Sequence, residues 1–123
     1  MQFIVHTPSG EQVPMEAFAG HVVHCIGQGQ DGALAMLRHV RESRDAAAHP
    51  EVAQMADAML ATPERAAELI NTMSDATCAR FAAAVTLAYS ERTPGASVSM
   101  VPESDEDRAF VASVQEPRPG VRQ

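Results

Sequence analysis

Apolar residues recur at helical spacing along most of this chain, interrupted at short intervals by Pro, Gly or a capping Ser, Thr or Asp. Met15, Phe18, Val22 and Ile26 share one face of a first helix, expected from about Met15 to Ile26. Gly27-Gln28-Gly29 ends it, because Gly tolerates the left-handed conformation that follows a helix. A second helix is expected from Asp31 to about Asp45. Ala33, Met36, Leu37 and Val40 lie inside, with Arg38, Arg41, Glu42 and Asp45 opposite. Pro50-Glu51 opens a third, with a stripe of Val52, Met55, Ala56, Met59 and Leu60. Thr62-Pro63-Glu64 opens a fourth carrying Ala66, Leu69, Ile70 and Met73. Ser74-Asp75 caps a fifth that runs to about Arg92, its face formed by Cys78, Phe81, Ala82, Val85 and Tyr89. Ser104-Asp105-Glu106-Asp107 has the form of a capped acidic first turn, and Phe110, Val111 and Val114 are expected to bury one side of a short sixth helix.

The ends of the chain change period. Gln2-Phe3-Ile4-Val5-His6 has strand propensity, Thr7-Pro8-Ser9-Gly10 suits a type I turn, and Glu11-Gln12-Val13 returns before Pro14. A two-stranded hairpin is marginal alone. Ser97-Val98-Ser99-Met100-Val101 alternates polar and apolar and is the expected third strand. The fold class expected is mainly α: a compact bundle of five or six short helices with a small N-terminal β-hairpin, extended to a three-stranded sheet. Residues 1–115 are expected to form one helical domain and 116–123 a flexible tail. Pro50-Glu51 and Pro63-Glu64 echo one another, but two good helix starts do not make a repeat.

Composition sharpens this picture. Hydrophobic residues are 46% of the 123, yet aromatics are only 4%, so Ala and Met fill the core. With so few aromatics, the stripes of the first, third and fifth helices are compatible with cover by a second subunit, a homodimer. The net charge is -7 and every basic residue is Arg. That balance disfavours nucleic acid and anionic membranes and suits a basic protein partner. No window is long and apolar enough to span a bilayer. The N-terminal run shows neither a basic start nor a long apolar stretch, so a cytoplasmic protein with reduced thiols is expected. Cys25 and Cys78 fall on apolar faces and read as buried small hydrophobes.

Candidate chemistry is sparse. His21, His24 and Cys25 are the one compact group with metal-ligand character, and His39, His49 or Cys78 would have to complete a site. No second ligand pair accompanies them, so no metal and no cofactor is expected. As a nucleophile, Cys25 lies near a helix C-terminus, where the dipole opposes a thiolate, while Cys78 sits in the first turn after Ser74. Glu64 with Glu68 reads as a solvated face. Gly27, Gly29 and Gly32 lack the Lys and the strand context of a phosphate loop. Arg38, Arg41 and Arg44, beside His39, could hold a phosphate or an acidic partner, but Glu42 and Asp45 are interleaved. The joins at 61–63 and 73–75 resemble a helix-turn-helix in length, in a chain too acidic to read DNA well. Met36, Met55, Met59 and Met73 are expected in the core, or else around a Met-lined groove for a partner helix.

The expected function is therefore non-catalytic: a protein-protein interaction module acting as adaptor, regulator or stoichiometric inhibitor of a larger protein complex. Its acidic face, Glu103, Asp105, Glu106 and Asp107, would compete for a basic nucleic-acid site, with Arg38 and Arg41 as further contacts. A phage- or mobile-element-encoded inhibitor fits that profile. The alternatives are a metal- or thiol-dependent sensor or small enzyme using His21, His24 and Cys25, and, more weakly, a helical DNA-binding regulator.

Overall fold

The computed structural model describes residues 2–115. The chain is mainly helical with a small antiparallel sheet, the fold class its residue pattern predicts. Strand β1 (Gln2–His6) lies between β2 (Gln12–Pro14) and β3 (Ser97–Val101). The expected third strand thus pairs with β1, Gln2 opposite Val101 and His6 opposite Ser97. The β1–β2 turn closes with the Gly10 N–H donating to the Thr7 carbonyl at 3.0 Å. Strand alternation puts Val5, paired with Val13 and Val98, on the side facing the helices, and Val5 is fully buried. On the other face His6 Nε2 and Ser99 Oγ lie 2.7 Å apart.

Seven α-helices follow among the described residues: α1 (Met15–Gly27), α2 (Asp31–Arg41), α3 (Arg44–Ala48), α4 (Pro50–Ala61), α5 (Ala66–Asn71), α6 (Asp75–Arg92) and α7 (Asp105–Gln115). Helix α1 ends in a Schellman motif. The Gln30 N–H donates to the Cys25 carbonyl at 3.1 Å and the Gly29 N–H to the Ile26 carbonyl at 2.9 Å, with Gly29 at φ +71°.

The second helix is shorter than its pattern predicts. It stops at Arg41 because Ser43 serves two helices at once. Its hydroxyl donates to the Val40 carbonyl at 2.6 Å and accepts from the Ala46 N–H at 3.3 Å, ending α2 and starting α3. The fourth predicted helix also divides, into a single 3-10 turn at Pro63–Arg65 and then α5. Thr62 does not cap it. The Thr62 hydroxyl turns back and donates to the Ala58 carbonyl at the end of α4.

Helix α6 is the central element. Phe81, Ala82, Ala84, Val85, Thr86 and Ala88 are all buried, a wider arc than the single face its sequence suggests. Around it pack Val22 and Ile26 of α1, Leu37 and Val40 of α2, and Val52 and Met59 of α4. Each such side chain, taken fully out of water, contributes about 1.5–3 kcal/mol. Met59 is fully buried, and Met36, Met55 and Met73 pack against the core from partly exposed positions. The two cysteines are free but only half-buried, so neither is the buried hydrophobe expected. Glu51, in the first turn of α4, bonds Arg80 of α6 at 2.6 Å. Its own backbone N–H, followed by that guanidinium, holds its carboxyl below the usual carboxylate range.

Helix α7 forms where predicted but does not bury the expected face: Phe110 is 52% exposed and Val111 half-buried. The helix start is fixed by polar contacts instead. The Ser104 hydroxyl accepts from the Asp107 N–H, the Asp107 carboxylate accepts from the Glu103 N–H, and Arg108 pairs with Asp105. The Val114 side chain and the predicted tail at 116–123 lie outside the described residues.

Two substitutions test the packing. Gly95, in the turn entering β3, has φ +89°, and an added Cβ would lie 3.4 Å from the Pro8 Cβ. Gly95→Ala is expected to cost about 1–2 kcal/mol, the ordinary penalty of a side chain in that conformation, read from the urea midpoint. Thr86 is 3% exposed and its hydroxyl has no hydrogen-bond partner among the described residues. Thr86→Val keeps the shape and removes the desolvated hydroxyl, and is expected to raise stability by about 1 kcal/mol in the same assay.

Candidate functional site

Two cavities flank helix α1, one on each side. The first is a half-open groove of about 510 Å³ between α1, α5 and α6. Its size falls within the roughly 300–1,000 Å³ common for ligand sites. The walls are mostly carbon: Ala19, Gly20 and Val23 from α1, Ala67 and Ile70 from α5, Ala79, Phe81 and Ala82 from α6. Gly20 and the Ala side chains of these walls leave open the space that larger side chains would fill. Gly20 has open space around it: nothing lies within 4 Å of where its Cβ would be.

Two carboxylates stand on the polar rim of this groove. Glu16 and Asp75 occupy the first turns of α1 and α6, where the helix dipole favours a carboxylate. His24, Asn71 and Cys78 complete the rim. The Cys78 thiol donates to the Ile70 carbonyl at 3.6 Å, tying α6 to α5.

The second cavity, also about 510 Å³, lies between the β1–β2 turn, α1, α2 and α6. Phe18 and Tyr89 meet across it with ring centroids 4.7 Å apart. His21 Nε2 stands 3.6 Å from Cys25 Sγ, one helical turn on, and both line the cavity.

The group His21, His24 and Cys25 is therefore split by the helix that carries it. His21 and Cys25 face the second cavity while His24 stands on the rim of the groove. Among the described residues no three His, Cys, Asp or Glu side chains come together as a metal site would require. The methionines do not gather around one groove either. Met15 lines the first cavity and Met36 the second.

The partner-binding candidates are dispersed. Arg38 is exposed on α2, while Arg41 is committed to Asp57 of α4 at 2.7 Å. Of the acidic group, Asp105 is paired with Arg108 and Asp107 is part of the α7 cap, leaving Glu103 and Glu106 exposed on the surface. A third, more polar cavity gathers His39, Glu42, Arg44 and Glu91, with His39 and Glu91 in contact at 3.1 Å.

The groove between α1, α5 and α6 was not anticipated as a site. Its one sequence signal is the density of small residues at Ala19-Gly20, Ala66-Ala67 and Ala82-Ala83-Ala84, a signal equally suited to tight packing. No helix among the described residues is long and apolar enough to cross a membrane. No known protein family matches the chain, and neither a curated protein nor a solved structure matches it.

Proposed function

We propose that this chain is a non-catalytic interaction module that binds one amphipathic helix of a larger protein in the groove between α1, α5 and α6. The observation that carries the reading is the pairing of a mostly carbon-lined groove with Glu16 and Asp75 on its rim. An apolar groove takes the apolar face of a helix, and carboxylates at its edges select Arg or Lys beside that face. The net charge of -7 steers the same kind of partner from a distance. A helix that is basic because it faces nucleic acid would be held away from its own ligand, so binding would inhibit. Glu103 and Glu106, exposed elsewhere on the surface, add to that negative field in this reading, and Arg38 takes no part in it.

Gly20→Ala separates folding from binding, because the two effects have opposite sign. Ala inside a helix is favoured over Gly by roughly 0.5–1 kcal/mol, and the position is open, so thermal stability is expected to rise. The added methyl narrows the groove, so retention of the partner from native lysate is expected to fall about tenfold, or about 1.4 kcal/mol. Unchanged retention by this variant would contradict the proposal, as would the absence of any retained protein.

A further inference from the structure

The second cavity contains a close pairing of a thiol with a base, and the interaction module proposed above makes no use of it. We infer that Cys25 is a covalent modification site for small apolar Michael acceptors, with His21 as its general base.

Three observations converge on it. The Cys25 sulfur and the His21 Nε2 are 3.6 Å apart, within reach of direct proton transfer. Both open onto a cavity walled by Phe18, Val22, Ala33 and Met36, which suits a carbon chain. Thr7, Gln30 and Tyr89, which line the same cavity, carry N–H or O–H groups able to donate to a carbonyl oxygen. Glu11 and Tyr89 are the further titratable groups lining it, and α2 contributes only Ala33 and Met36. An anionic reagent would meet Glu11 and a chain of net charge -7, so a neutral electrophile is the better fit.

The chemistry closes without a co-reactant. His21 Nε2 takes the thiol proton, with the ring's own proton on Nδ1. The sulfur forms a bond to the β-carbon of an α,β-unsaturated carbonyl compound, and the π pair moves onto the α-carbon and oxygen. His21 then returns the proton to the α-carbon, leaving a neutral thioether. The imidazole is needed because Cys25 sits in the last turn of α1, where the dipole opposes a bare thiolate.

Cys78 is the internal comparison. It is half-buried like Cys25, but its thiol donates to the Ile70 carbonyl, which cannot take the proton. The test is site-resolved mass spectrometry of the whole folded chain exposed to trans-2-hexenal at neutral pH. Cys25 is expected to form its adduct at least about tenfold faster than Cys78, and His21→Asn to slow Cys25 by about a hundredfold, the lower end for a general base, without slowing Cys78. His21 is exposed, and unchanged far-ultraviolet circular dichroism checks that the variant folds. The wild type alone also decides the matter, since the difference between the two thiols must vanish in guanidinium. Equal native rates, a faster Cys78, or an unchanged Cys25 rate in His21→Asn would overturn the inference. None of these outcomes bears on the groove across α1.

Discussion

Phe81→Ala is expected to lower folding stability by about 3–5 kcal/mol. Phe81 is 1% exposed and is the largest of the fully buried side chains. It sits on α6, against which the sheet and most other helices pack, and also forms part of the groove floor. Truncation removes its burial and leaves a void that rigid helices fill only partly. A domain of this kind is held by only about 5–15 kcal/mol, so the variant should unfold at much lower urea, followed by circular dichroism. Phe110→Ala is the control. Its ring is 52% exposed, and the change should stay within about 0.5 kcal/mol. Equal losses from the two would mean that α6 holds the core no more than α7 does.

The second large effect is on binding. Ala79→Glu places a carboxylate on the exposed wall of the groove. The fold should tolerate it, because no buried group is displaced. The bound helix would then have to desolvate that charge against its apolar face, and the Kd for the retained partner is expected to rise at least about a hundredfold, or about 2.7 kcal/mol. Ala83→Glu adds the same charge at an exposed position of α6 that does not line the groove. It should leave the Kd within about twofold, which is less than 0.5 kcal/mol. Comparable losses in both variants would mean that the loss does not arise in the groove and would remove the groove from the interaction.

Much of the architecture is legible in the residues, for identifiable reasons. The strand pairing follows from alternation in Ser97–Val101 and from the turn at Thr7–Gly10. The limits of α1 follow from Pro14 and from Gly29. The division of the second predicted helix is harder to see. Its apolar spacing runs on past Arg41, and only the hydroxyl of Ser43, bonded in both directions, interrupts it. Helix α7 shows the opposite limit. Its cap residues dictate that a helix starts, but apolar residues on one face do not dictate that anything lies against them.

The candidate site is less legible still. Helical spacing places His21 and Cys25 on one face, and the structure brings them together. Spacing could not show that α1 would have a cavity on each side, putting His24 in the other one. Nor could it show whether the Ala and Gly positions would be filled by a neighbouring helix or left as a groove. That depends on how far apart α1, α5 and α6 settle, which is set by core packing between residues distant along the chain, Phe81 and Ile26 among them.

The two thiols provide the most direct measurement of the central claim, because each lines a different cavity. The labelling rate of each cysteine by N-ethylmaleimide is compared in the free chain and in the complex with the retained partner. A helix seated in the groove is expected to slow Cys78 at least about tenfold, the effect of 1.4 kcal/mol of protection, and to leave Cys25 unchanged. Cys78 labelling as fast in the complex as in the free chain would contradict groove binding.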